Sequence, residues 1–359
     1  MTDLLKQFSG KRIFITGHTG FKGSWLSYWL QMEGAEVKGY SLTPDTSPNL
    51  FESLQLESKM QSVIGDINDY RTLETEILSF KPDFIFHLAA QPLVRASYKD
   101  PLLTFQTNVC GTANVLQSLR FLDNPCTTVL ITTDKVYQNN EWVYPYREND
   151  RLGGYDPYSA SKACSELVIS SFTNSYFNIS NYASHQKAIA SARAGNVIGG
   201  GDWSTDRLLP DIVRSLTRDE DIVLRNPNAV RPWQHVLEPL FGYLLLAAKL
   251  SGDVNTFSGG WNFGPSPTDN FSVSELANLT VSTWQKGKVT VKGEDSAPHE
   301  AQLLRLDISK ATGKLGWAPK LNAKQAIERT IRWYRRFYQG HDAEGLVQDD
   351  LNLYKTLFD

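Results

Sequence analysis

Tyr158-Ser159-Ala160-Ser161-Lys162 sets a phenol and an ammonium four residues apart. On a helix the two share one face. A lysine beside a tyrosine favours the phenolate, drawing its pKa from about 10 toward working pH. Such a phenol can take the proton of a hydroxyl as hydride leaves the carbon that bears it. Asp156-Pro157 just before supplies a helix start. In a chain with 15 tyrosines the spacing also arises by chance, so its position carries the weight. The pair follows a strand-like run at 128–132, at the carboxyl edge where doubly wound sheets bind ligands.

Gly17-His18-Thr19-Gly20-Phe21-Lys22-Gly23 places three glycines between a strand-like run and a helical one. Glycine permits the tight turn and lets backbone N–H groups approach a pyrophosphate at the helix N-terminus. The alternative is a glycine-rich turn without a ligand. An acidic partner for the adenosine ribose belongs about 20 residues on. That place reads Gly39-Tyr40-Ser41-Leu42, with no acid and no arginine, so spacing leaves NAD and NADP open. Asp66, in Gly65-Asp66-Ile67, is a candidate for adenine contact or a plain turn aspartate. Thr132-Thr133-Asp134-Lys135-Val136-Tyr137 closes a further strand. Its two adjacent ionisable groups could supply an acid and a base, or form an exposed ion pair. A lysine serves as base only where desolvation or neighbouring cations lower its pKa.

The elements that must position these groups alternate. Strand-like runs fall at 11–17, 35–42, 61–64, 84–88, 128–132 and 188–194, with helical patterns at 24–32, 70–80, 103–121 and 159–176 between them. This predicts an α/β fold, a doubly wound parallel Rossmann sheet. After about residue 196 the rhythm breaks, then resumes with a helix near 238–250 and a strand near 261–263. The expected division is a dinucleotide-binding domain from 1–195 and 230–262, with a smaller interwoven substrate domain from 196–229 and 263–359. Apolar residues make up 41%, charged residues 21%, and the net charge is -3, so neither nucleic acid nor an anionic membrane is indicated as partner. Three scattered cysteines fit neither a disulfide framework nor a zinc site, so no metal is expected. The N-terminus lacks a signal-peptide layout and the longest apolar run is far too short for a bilayer, which makes the cytoplasm the expected location.

Taken in order, Thr16-Gly17-x-x-Gly20-x-x-Gly23, His87-Leu88-Ala89-Ala90, Asn108-x-x-Gly111-Thr112 and Tyr158-x-x-x-Lys162 resemble the extended short-chain dehydrogenase/reductase superfamily over almost the whole chain. Thr133-Asp134 further resembles its nucleoside-diphosphate-hexose 4,6-dehydratases, with Lys135 where most relatives have glutamate. That variant, with Arg193-x-Gly195-Asn196-Val197-Ile198-Gly199-Gly200-Gly201-Asp202-Trp203, is most similar to the branch that acts on CDP-glucose.

The resemblance implies bound NAD and a nucleotide-sugar substrate. C4 is oxidised, water is lost across C5 and C6, and hydride returns to C6. It implies Thr133 at the C4 oxygen, Asp134 as acid, Lys135 as C5 base, and Tyr158 with Lys162 at C4. The cofactor would lie against residues 17–23, Asp66, Ile67, Leu88, Ala89, Ala90, Gln91, Asn108, Tyr158 and Lys162. Arg95, Thr133, Asn196, Arg207, Arg231, His299 and Arg305 would hold the substrate, and the protein would be a homodimer or homotetramer. A simple 4-epimerase is disfavoured by Asp134, and a non-catalytic dinucleotide-binding regulator by Tyr158, Lys162, Asp134 and Lys135. Trp203, Trp233 and Trp261 could stack on a base, but core packing is favoured.

Overall fold

The structure is a computed structural model describing all residues except 225, 267–268, 270, 292–302 and 359. Its strands, in chain order, are β1 (Arg12–Thr16), β2 (Glu36–Ser41), β3 (Gln61–Ile64), β4 (Phe84–His87), β5 (Cys126–Ile131), β6 (Lys187–Ala194), β7 (Val197–Ile198), β8 (Ile222–Leu224), β9 (Val230–Arg231), β10 (Gln234–His235), β11 (Gly259–Phe263), β12 (Phe271–Ser272) and β13 (Val289–Val291). Seven of them form one sheet in the order β11-β6-β5-β4-β1-β2-β3, with every pairing parallel. The chain runs outward one way through β2 and β3, then returns to start the other way at β4. The crevice between β1 and β4 is therefore the topological switch point, where such sheets take their ligands.

β5 and β6 are buried along their whole lengths, as strands covered by helices on both faces must be. Their apolar residues join a core that continues into the helix Leu237–Gly252, where Leu240, Leu244, Ala247 and Leu250 are buried. Trp203, Trp233 and Trp261 are all in this core, in line with the packing reading.

Two expectations needed revision. The helix expected over 103–121 is instead the helix Pro101–Phe105, a π turn Gln106–Cys110 and the helix Gly111–Leu119. Such bulges have no sequence period of their own and collect at functional sites. The stretch after 196, in which no βα unit was legible, contains the helix Leu208–Thr217 followed by β8. Among the described residues β8 pairs with β13, so its partner is remote in sequence and no local alternation marks it.

Candidate functional site

The site is built at the carboxyl ends of β1, β4, β5 and β6. Gly17 follows β1 at φ +77°, and a Cβ on it would lie 2.7 Å from the Ala89 nitrogen. A Cβ on Gly23 would lie 2.0 Å from the Gly17 carbonyl oxygen. The chain's own backbone thus demands both glycines. Gly20 differs, because a Cβ there would meet only the Gly17 oxygen, at an ordinary 3.5 Å. It is the N-cap of the helix Phe21–Met32 and offers no side-chain cap, so the helix start stays open to an anion. An approaching phosphate explains a glycine that internal packing does not.

The side chains of His18 and Thr19 turn inward. His18 Nε2 pairs with the Ser62 hydroxyl at 2.8 Å, and burial pulls the ring down to about 4, so it is neutral. Thr19 donates to the Leu42 carbonyl at 2.8 Å and pairs with the Ser41 hydroxyl at 2.8 Å. These contacts tie the glycine loop to β2 and β3, leaving its backbone for a ligand.

The end of β4 is fixed by a buried chain of polar groups. The Thr16 hydroxyl pairs with His87 Nδ1 at 2.7 Å, and His87 Nε2 with the Thr112 hydroxyl at 3.1 Å. Ala89 N–H donates to Thr16 Oγ1 at 3.2 Å, which holds the Leu88–Ala90 segment against the switch point. Gln91 is pinned by Asn108, whose Oδ1 accepts its N–H at 2.9 Å and whose Nδ2 donates to its carbonyl at 3.1 Å. Asn108 Nδ2 also donates to the Ser161 hydroxyl at 2.8 Å, so the π turn braces the helix that carries the Tyr-Lys pair.

That helix, Pro157–Ser175, is capped by Asp156, which accepts from Ser159 N–H at 2.9 Å. It presents Tyr158 and Lys162 buried on one face. Burial drives the phenol up to about 12, with Thr133 and Arg207 opposing. Lys162 is itself pulled down to about 8 by burial, with Glu166 opposing, and its Nζ donates to the Ile131 carbonyl at 3.4 Å. The expected lowering of the phenol by the lysine is thus outweighed. Desolvation of the phenolate dominates, and the groups that relieve it here are Thr133 and Arg207.

Asp134 begins a one-turn helix, Asp134–Val136, directly after Thr133. Its Oδ1 accepts from the Thr133 hydroxyl at 2.9 Å, so Thr133 links the carboxyl to the phenol. Lys135 is half-buried beside it. Arg207 donates to Asp202 at 2.8 Å and lies close enough to Tyr158 for each to shift the other's titration. Lys22, expected on the cofactor, also faces this region. Burial, then Arg207 and Lys162, pull it down to about 7, with Asp134 and Asp202 opposing.

The remaining expected residues are more dispersed. Arg95 Nη1 stands 3.9 Å from Asp206, next to Arg207. Asn196, in the left-handed region at φ +47°, accepts Gln234 N–H on its carbonyl at 3.2 Å. Arg231 lies on β9, its Nη1 donating to the Val230 carbonyl at 3.2 Å. Arg305 lines a small cavity with Asp134, Gly195, Gln234 and Gly264. Asp66 is exposed, its Oδ1 accepting from Asn68 backbone and side chain at 2.9 and 3.0 Å, and Ile67 is buried with its carbonyl held by Asn114 at 2.9 Å. His299 lies outside the described residues.

Sequence reasoning missed a buried charged network behind the site. Glu166 accepts from Arg193 Nε and Nη2 at 3.0 and 2.8 Å, from Ser191 at 2.8 Å and from Thr132 at 2.5 Å. Arg193 Nη1 continues to the Tyr137 hydroxyl at 2.7 Å, which donates to Asn262 at 2.7 Å. The signal was present: Arg193 interrupts the apolar run of β6, and a charge there requires a partner. Among the described residues no cluster of three or more metal-ligating side chains occurs, and no helix is long and apolar enough to cross a membrane.

Residues 14–330 match the family described as GDP-mannose 4,6 dehydratase. The chain is 50% identical over 335 residues to CDP-glucose 4,6-dehydratase of Salmonella typhimurium, covering 93% of each. Its fold is shared with a UDP-glucose 4-epimerase of Thermotoga maritima (TM-score 0.77, 22% identity, 91% of this chain and 99% of that one). It is shared equally with a dTDP-glucose 4,6-dehydratase of Bacillus anthracis solved with NAD (TM-score 0.76, 21% identity, 93% and 100%).

Proposed function

Because this chain belongs to the GDP-mannose 4,6 dehydratase family, we propose that it is an NAD-dependent hydro-lyase converting CDP-glucose to CDP-4-keto-6-deoxyglucose. One observation carries the choice of substrate and reaction. The chain shares half its residues, end to end, with a CDP-glucose 4,6-dehydratase, and Thr133 and Asp134 stand beside Tyr158 as this chemistry requires.

NAD would lie along the Gly17–Gly23 turn and the β4 end, its pyrophosphate at the open helix start beyond Gly20. When bound it supplies a hydride acceptor at C4 and the donor that later reduces C6. The protein's groups do the proton work. Tyr158 takes the C4 hydroxyl proton, and Lys162 and Arg207 stabilise the charge left on the phenolate. Thr133 hydrogen-bonds the C4 oxygen, Asp134 protonates the departing C6 oxygen, and Lys135 receives the C5 proton. Arg207, Arg231 and Arg305 offer forked donors suited to a diphosphate, with Arg95, Asn196 and His299 assigned to the same ligand. The proposal extends to a cytoplasmic homodimer or homotetramer formed through the helices flanking the Tyr-Lys segment, where Leu102, Leu103 and Leu167 are exposed.

The test is to incubate the protein and NAD separately with CDP-glucose, dTDP-glucose, UDP-glucose and GDP-mannose and to follow product mass. Loss of one water from CDP-glucose alone is expected. Water loss from another nucleotide would overturn the substrate, inversion at C4 without mass change would make it an epimerase, and no reaction with any would overturn the enzyme reading.

A further inference from the structure

Gln234, on β10, is buried and held in a single orientation. Its Nε2 donates to the carbonyls of Gly195 at 3.0 Å and Phe263 at 3.1 Å. Flipping the amide would set oxygen against two oxygens, so the chemistry fixes which atom is which. Oε1 is left buried with no hydrogen-bond partner among the described residues.

Asp134 has the same shortfall. Oδ1 takes the Thr133 hydroxyl, while Oδ2 is buried and has no partner among the described residues. Gly195 joins the two side chains. Its carbonyl anchors Gln234, and a Cβ on it would lie 1.9 Å from Asp134 Oδ2. Both side chains line one cavity, together with Gly264 and Arg305. A buried acceptor left unpaired carries its full desolvation penalty, so two at one cavity imply a ligand that brings hydrogen-bond donors to them.

We propose that Gln234 Oε1 and Asp134 Oδ2 form the seat of the leaving hydroxyl, an assignment that rests on the dehydratase reading above. The C6 O–H donates to Gln234, which turns a lone pair of that oxygen toward the acid proton of Asp134. The ketone already formed at C4 acidifies the C5 proton. That proton passes to the base, and the C5–H electron pair becomes the C5=C6 double bond. The C6–O pair stays with oxygen, which takes the proton of Asp134 and departs as water. The departing water carries two O–H donors, matching the amide oxygen and the newly formed carboxylate. The substrate hydroxyl carried one. The fit therefore improves along the reaction, which is what acceleration requires.

The test compares wild type with Gln234→Met, similar in length but without the oxygen, on CDP-glucose and on CDP-6-deoxyglucose, which lacks the C6 oxygen. With CDP-glucose, reduced nicotinamide should still form in a single turnover, while water loss slows roughly tenfold to hundredfold, the scale of one hydrogen bond gained in the transition state. Affinity for CDP-6-deoxyglucose should be unchanged. Equal losses on both ligands would make Gln234 only a brace for β10, and an unchanged elimination rate would remove it from the reaction. Either result overturns the proposal.

Should the variant fail to fold, the wild type still decides. Fluorine at C6 accepts but cannot donate, so CDP-6-deoxy-6-fluoroglucose should bind roughly tenfold or more weaker than CDP-glucose, the worth of one buried hydrogen bond. Equal affinity would overturn the seat. Failure of the parent reading is distinguishable, because the wild type would then release no water from CDP-glucose.

Discussion

The carboxyl ends of β1 and β5 contribute to one site by different physics. At β1 the design is steric and local. Gly23 clears space for the Gly17 carbonyl six residues back, Gly17 for the Leu88–Ala89 backbone, and the nearby rings of His18 and His87 are buried and neutral. At β5 the design is electrostatic and assembled from afar. Thr132, Glu166, Ser191 and Arg193 interlock behind Thr133 and Lys162, and Tyr137 carries the network on to Asn262. One end shapes a cradle for a ligand that brings its own charge. The other must hold ionisable groups still while protons move.

The comparison is broken most directly at the phenol. Tyr158→Phe should lower turnover of CDP-glucose by about 10²–10⁴-fold, the usual worth of a positioned acid or base, while calorimetric affinity for substrate stays within a few-fold. Turnover near the wild-type rate would mean that the β5 end merely scaffolds the cradle at β1.

The network behind it is expected to matter to stability on a similar scale. Glu166→Gln leaves the Arg193 guanidinium buried without its carboxylate, which should cost about 3–5 kcal/mol in denaturant unfolding. Replacing both partners by Leu and Met removes the orphaned charge, so folding should largely recover. Activity should not recover with it, because Thr132 and Lys162 lose the carboxylate that one is bonded to and the other feels. Recovery of both would reduce the network to packing.

The same contrast explains what the sequence revealed. The glycine turn, the Tyr-Lys helix and the seven strands of the parallel sheet were legible because each is encoded within a few neighbouring residues. The network was not, since Glu166 and Arg193 lie 27 residues apart and meet only once the helix Pro157–Ser175 packs against β6. The titration of Tyr158 was misjudged for a related reason. Spacing places Lys162 beside the phenol but says nothing of burial, which raises Tyr158 and lowers Lys162 together. No spacing marks Gln234, because its importance comes from an oxygen that two distant carbonyls leave unpaired.

The β1 end can be sharpened by its two kinds of glycine. Gly23→Ala must displace the Gly17 carbonyl and should cost about 1–3 kcal/mol of stability, as overpacking does. Gly20→Ala meets no such obstacle, so stability should stay within about 0.5 kcal/mol while NAD affinity falls. Thermal unfolding with and without NAD separates the two. A Gly20→Ala protein that binds NAD as tightly as wild type would remove the ligand as the reason for that glycine.

The effect most gradual in pH comes from the ring beneath the cradle. His18 titrates near 6.5 in the unfolded chain but at about 4 when folded, because burial penalises its charged form. Its folded pKa is depressed, so its contribution is fully present above 6.5 and is lost as pH falls toward 4. The slope is at most about 1.4 kcal/mol per pH unit for a single proton. His18→Gln keeps a partner for Ser62 but cannot titrate, so the difference between the two stability curves should show this slope and level off above 6.5. Glu166, whose pKa is depressed below 4.5, contributes fully above that value and loses its contribution only as pH falls below it, so most of its window lies under that of His18. Parallel curves for variant and wild type through the His18 window would mean that the ring is not buried as the neutral form, and the contrast between an uncharged cradle and a charged catalytic end would lose one of its supports.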